Sequence, residues 1–229
     1  DPARVEVSPA GRTADKIRQK VHFMDAKAKI GFLIDVLLDQ PDDMSLVFCR
    51  TKHGAKRLMR KMAQAGIAAG SIHGNKSQNQ RERAIKELRS GAIKVLVATD
   101  VAARGIDIPG VSHVYNFELP EVAEAYVHRI GRTARAGADG DAVALCAPEE
   151  IGLFRQIEKL IGIDIEVVSG EVPPMSAAKD AKRAKNNKSG GGGKPRFQKA
   201  AGAGAGDNDN GRRFAKNRRR RPQARKNAA

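Results

Sequence analysis

Cysteine is scarce in this chain of 229 residues: only Cys49 and Cys146 occur, each closing an apolar run of strand length. Two such residues cannot supply a disulfide framework, and their settings are those of small core side chains, so neither a disulfide nor a metal role is expected. No stretch approaches the roughly 18 apolar residues of a membrane-spanning helix, which makes a soluble protein of the reducing cytoplasm the expectation. The phosphate-cradling string Gly-x-x-x-x-Gly-Lys-Ser/Thr is also missing; Gly193-Lys194 comes nearest, but Pro195 follows it inside a glycine tract. A self-contained nucleotidase built on that loop is thereby excluded.

Branched aliphatics all but vanish after Pro173-Pro174, and charge of one sign takes their place. Residues 175–229 hold 17 Lys and Arg against 3 Asp and Glu, a net of +14, which leaves only +2 of the total +16 for residues 1–174. Such a segment cannot bury enough apolar surface to fold and is expected to be a disordered basic Gly/Ala/Arg/Lys-rich tail over 173–229. Arg212, Arg213, Lys216 and the run Arg218, Arg219, Arg220 and Arg221 suit a phosphate backbone, and Phe197 and Phe214 could stack on bases. A solubility tail or a docking segment for another protein is the competing reading.

Before that tail, short apolar runs at 45–49, 69–73, 94–99, 113–117 and 141–146 alternate with amphipathic stretches at about 53–65, 77–90, 121–132 and 149–161. A leading strand near 17–24, a helix near 26–39 and a last strand within 163–168 complete the pattern. Strand–helix alternation of this kind predicts an α/β domain whose parallel sheet is covered by helices on both faces. Leu33, Ile34, Leu37, Leu38, Leu58 and Met62 are expected in its core.

Two stretches carry chemistry. Residues 128–137, His-Arg-Ile-Gly-Arg-Thr-Ala-Arg-Ala-Gly, crowd three arginines around a glycine. On a helix, His128, Arg132 and Arg135 would fall at roughly 0°, 40° and −20° and share one face, suited to an anion such as phosphate. A solvated basic helix end, favoured by the helix dipole, is the alternative. Residues 94–109 begin as a buried strand and break into Thr99-Asp100, Arg104-Gly105 and Asp107, polar residues at the carboxyl end of a strand, where α/β sheets bind ligands.

With these strings the chain resembles the DEAD-box RNA helicases. Residues 94–109 resemble that family's motif V and residues 128–137 its motif VI. Ser45-Leu-Val-Phe-Cys-Arg-Thr-Lys52 resembles motif IV, and Gly74-Asn-Lys-Ser-Gln78-Asn-Gln-Arg81 the segment bearing the Gln-x-x-Arg pair. No Asp-Glu-Ala-Asp is present. The family builds its ATPase from two RecA-like domains, and that acidic motif and the phosphate loop belong to the first. The resemblance therefore implies the second RecA-like domain alone at 17–172, preceded by an interdomain linker remnant at 1–16 and cut from a longer polypeptide. The opening Asp1-Pro-Ala-Arg-Val-Glu-Val, without Met or signal peptide, fits such a cut.

Residue roles follow as implications of the resemblance. Arg132 and Arg135 match arginine fingers that reach the ATP γ-phosphate, Asp107 a ribose contact, His128 a residue coupling the two domains, and Arg129 a brace of motif V that belongs to the same nucleotide-binding set. Arg50, Thr51, Gly74, Gln78, Arg81, Thr99, Asp100, Arg104 and Gly105 match positions gripping the sugar-phosphate backbone of RNA. ATP with Mg²⁺ is the implied cofactor, the metal and most phosphate contacts coming from the missing N-terminal domain. RNA is the implied partner, with a ribosomal or RNA-decay assembly possible, and the tail together with the motif details is similar to the bacterial RhlE-type subgroup. Ala134 departs from the family, which commonly has glycine between the last two arginines. Two other readings stand beside this one: a DNA helicase of the same superfamily, against which the intact His-Arg-Ile-Gly-Arg and Ala-Arg-Gly-Ile-Asp strings argue, and a non-enzymatic RNA-binding or protein-docking module.

Overall fold

The computed structural model describes residues 17–103, 108, 110–135 and 139–177. The expected linker remnant, Arg104, Gly105, Asp107 and every tail residue named above lie outside the described residues. Seven strands form one sheet in the order β3-β4-β2-β5-β6-β1-β7, every pairing parallel. They are β1 (Ile17–Phe23), β2 (Ser45–Phe48), β3 (Ala69–Ile72), β4 (Val95–Ala98), β5 (His113–Asn116), β6 (Gly140–Cys146) and β7 (Glu166–Ser169). Between them run α1 (Lys29–Asp39), α2 (Lys52–Gln64), α3 (Gln78–Arg89), α4 (Asp100–Ala103), α5 (Ala123–Ile130) and α6 (Ile151–Ile161).

The alternation along each central strand decides which helix covers it. Val47 and Cys49 after β2, with Val95 and Val97 of β4 and Val143 and Leu145 of β6, point to the face packed by Leu33 and Leu37 of α1 and by Leu58 and Met62 of α2. Their neighbours Leu46, Phe48, Leu96 and Ala98 point the other way, onto Ala84 and Leu88 of α3. Further along that second face, Ala142, Ala144 and Cys146 meet Tyr126 and Ile130 of α5 and Phe154 and Ile157 of α6. Central strands buried on both sides read as unbroken apolar runs for this reason. β7, at the edge, is exposed along its whole length.

Of the expected core residues, Leu33, Leu37, Leu58 and Met62 are buried, but Leu38 is 51% exposed because it lies on the far side of α1. Cys49 and Cys146 are buried and free, and burial pushes both thiols up to about 12, so neither is a thiolate at neutral pH. Among the described residues no helix is long and apolar enough to cross a membrane.

Candidate nucleotide and RNA site

The site is built at the carboxyl ends of β2, β3, β4 and β5, and much of its basic chemistry is turned inward. Arg129, on the last turn of α5, is 1% exposed. Its guanidinium grips Asp100 bidentately, Nε to Oδ1 at 2.6 Å and Nη2 to Oδ2 at 2.8 Å, while Nη1 donates to Asn116 Oδ1 at 3.0 Å and Glu118 O at 2.7 Å. The plane lies over the Phe48 ring, 5.0 Å from its centroid. These bonds make Arg129 a brace between α5 and the Thr99-Asp100 corner. Both Asp100 oxygens accept from Arg129, while a third of the Asp100 side chain stays exposed.

Arg81 and Arg50 are engaged in the same way. Arg81 Nη2 donates to Ala102 O at 2.7 Å, so that α3 holds the end of α4. Arg50 Nε and Nη2 reach Leu119 O at 3.2 and 2.9 Å, and Nη2 also meets Glu150 Oε1 at 2.9 Å. Each guanidinium thus holds a backbone carbonyl near the sheet, and both side chains remain part-exposed. Thr99 is buried and anchors the corner through its carbonyl, which accepts from Ala102 N and Ala103 N at 3.0 Å. Thr51, Gly74 and Gln78 remain exposed. Thr51 caps α2, its Oγ1 accepting from Gly54 N at 3.0 Å, and Gln78 Nε2 donates to Glu82 Oε1 at 2.8 Å.

The arginine cluster does not form one helix face. α5 stops at Ile130, and the chain turns, with Arg132 N donating to Arg129 O and Thr133 N to Ile130 O, both at 3.0 Å. Arg132 and Arg135 thus project from a tight turn. Each is tethered through Nε to the carbonyl four residues back, Arg132 to His128 O at 3.2 Å and Arg135 to Gly131 O at 2.9 Å. His128 is exposed, and it lines one shallow hollow with Phe48, Asp100, Ala103, Arg129 and Arg132. His128 and Arg132 thus come together, while Thr51, Gly74 and Gln78 lie at the starts of α2 and α3.

Between the two arginines, Thr133 is 2% exposed, and its hydroxyl lies 2.6 Å from Val111 O and 3.0 Å from Ser112 O. This bond ties the turn to the start of β5. Gly140 makes room for it: a Cβ there would sit 2.1 Å from Thr133 Oγ1. Ala134 then adopts φ 53°, the one left-handed non-glycine among the described residues. That conformation costs an L-residue roughly 1–2 kcal/mol. Ala134→Gly is accordingly expected to stabilise the domain by about 0.5–1 kcal/mol after the extra chain entropy of glycine is subtracted, visible as a rise of about 1–3 °C in melting temperature. A lower melting temperature would show that Ala134 is unstrained.

Several residues of the site carry no signal in the sequence. Glu150 is buried and accepts from Leu119 N and Ala147 N at 3.2 Å, from Arg50 and, through its other oxygen, from the buried Lys29 ammonium. Lys29 also donates to Phe117 O at 3.1 Å and Leu145 O at 2.6 Å, so this pair seals the ends of β5 and β6. Sequence alone does not distinguish Glu150 from its exposed neighbours, because its partners lie up to 121 positions away.

Known proteins resemble this chain in sequence and fold. A model of the helicase conserved C-terminal domain matches residues 28–137. The DEAD-box ATP-dependent RNA helicase CshA of Geobacillus kaustophilus is 43% identical over 159 residues, 69% of this chain and 34% of that protein. Among solved structures, the E. coli DEAD-box protein SrmB, bound to regulator of ribonuclease activity A, is similar with a TM-score of 0.64 and 41% identity, over 67% of this chain and 91% of that one. This chain belongs to the DEAD-box family. Its described residues form the RecA-like C-terminal domain of such a helicase, and the chain spans about a third of the length of the curated relatives it matches. Another DEAD-box structure, S. cerevisiae Dbp5 bound to RNA and ADP BeF3, matches 76% of this chain at 30% identity with a TM-score of 0.64.

Proposed function

We propose that this DEAD-box domain is the arginine-finger half of an RNA-stimulated ATPase that opens RNA duplexes locally, in a cytoplasmic enzyme of RhlE type. The observation that carries the reading is the tethered pair Arg132 and Arg135 on a turn pinned by Thr133 and standing beside the Arg129–Asp100 brace. A guanidinium held by its own Nε is pre-aimed, so little freedom is given up when it meets a phosphate. ATP bound to the first domain would bring its γ-phosphate to these fingers, with Asp107 on the ribose and His128 at the domain boundary. Magnesium would supply charge neutralisation at the phosphates, and we assign its ligands to the first domain, where the resemblance puts the acidic motif.

Thr51, Gly74 and Gln78, exposed along the starts of α2 and α3, with Arg104 and Gly105 beyond Ala103, would line the path of one RNA strand by backbone contacts. Arg50, Arg81, Thr99 and Asp100 would shape that path from beneath. ATP and RNA each favour closure of the two domains, so each strengthens the other. Closing on one strand excludes its complement, and hydrolysis then releases the clamp. The basic tail adds an unspecific RNA anchor.

A single titration series tests both parts. Full-length enzyme is expected to bind single-stranded RNA more tightly with a nonhydrolysable ATP analogue than without nucleotide. Deleting residues 175–229 leaves that coupling intact but flattens the slope of log K against log[salt] by about 0.7 for each phosphate that the tail had neutralised, roughly four to eight phosphates in all. Disappearance of the coupling on truncation would contradict the division of labour, and an unchanged slope would make the tail a docking or solubility segment.

A further inference from the structure

At the end of β3, beside the exposed Gly74, stands a group whose chemistry nothing in the domain uses. His73 is 2% exposed, and neither Nδ1 nor Nε2 has a hydrogen-bond partner. Buried imidazoles are ordinarily paired, and one left unpaired costs the full desolvation of its polar atoms. Burial first, and then the charges of Lys76, Lys56 and Lys52, favour the neutral form of the ring. A neutral ring keeps one N–H donor, and the nearby lysine charges suit that donor to an anion. Gly74 and Asn75 are exposed, open space lies where a Gly74 Cβ would be, and Lys52 reaches Asn75 Oδ1 by an exposed bond of 3.3 Å.

We propose that His73 is an RNA-contact residue: its imidazole N–H donates to a phosphate oxygen of the bound strand, with Lys52, Lys56 and Lys76 supplying the positive field. The inference rests on the RNA path proposed above and extends it beneath Gly74. The unmet donor of the free domain is then satisfied only in the complex. Its cost without RNA thereby becomes selectivity for the bound state.

His73→Leu and His73→Gln in the full-length enzyme, titrated with a short oligouridylate in the presence of a nonhydrolysable ATP analogue, test this. Leucine removes the donor and fills the space; glutamine keeps a donor. The leucine variant is expected to bind RNA roughly five- to tenfold more weakly, the worth of one phosphate hydrogen bond, and the glutamine variant to stay within about threefold of wild type. ATP-analogue affinity without RNA is expected to be unchanged for both, and the melting temperature of the leucine variant to equal or exceed that of wild type, since two orphaned polar atoms leave the interior. RNA affinity of the leucine variant within about twofold of wild type would overturn the proposal, as would glutamine losing as much as leucine. If wild-type enzyme itself bound RNA indifferently to nucleotide, the helicase reading would fall and this inference with it; a coupled wild type beside an unaffected leucine variant removes His73 alone.

Discussion

Alanine in place of Arg132 or Arg135 is expected to cut ATP turnover of the full-length enzyme about 10³-fold while leaving nucleotide-free RNA binding intact, the low end of what an arginine finger contributes. Both are part-exposed, and their Nε bonds go to carbonyls of their own turn, at His128 and Gly131. On the proposed role, what is lost is charge placed where charge develops as the γ-phosphoryl group transfers. Lysine should restore little, because an ammonium has neither the Nε tether nor the planar fork. The measurement is steady-state turnover at saturating RNA, beside RNA affinity without nucleotide. Turnover within about threefold of wild type would make the cluster a solvated basic turn and nothing more.

The second large effect belongs to Asp100. Its replacement by alanine would strand the Arg129 guanidinium, 1% exposed, against Phe48 with no counter-charge. Breaking one side of such a pair costs about 3–5 kcal/mol, which for a domain of this size lowers the melting temperature by roughly 10 °C. Asparagine should fall between, since it can still accept one of the two guanidinium bonds. Were Asp100 a backbone contact for RNA, as its position at the end of β4 suggests from sequence, alanine would weaken RNA binding at an unchanged melting temperature. Thermal unfolding of the two variants separates these outcomes.

Asp100 is legible from its string as a site residue; that it is the partner of Arg129, which the resemblance casts as a brace of motif V, is a matter of range. Strands and helices announce themselves through local alternation: β2, β4 and β6 are apolar runs because both their faces are covered, and α2 and α3 begin at Thr51 and Ser77, whose side chains accept from Gly54 N and Gln80 N. The motif strings, being contiguous, place the site at the strand ends. What the strings do not carry is which partner each charge takes. Arg129 finds Asp100 across 29 positions and Arg50 finds Glu150 across 100. The turn at 131–135 is hidden for a different reason. His128, Arg132 and Arg135 fit a helical period, but Thr133, buried by its bond to Val111, and the left-handed Ala134 end the helix at Ile130.

On the proposed function, this chain carries half of an ATPase, and its half is the fingers. The most direct measurement is RNA-stimulated ATP hydrolysis by the purified 229-residue chain, alone and joined to a first RecA-like domain bearing the phosphate loop and the magnesium-binding acids. Alone, it should hydrolyse no ATP above background; joined, it should turn over ATP in response to RNA, and Arg132→Ala in the joined protein should abolish that response. RNA-stimulated turnover by the chain alone would contradict the claim.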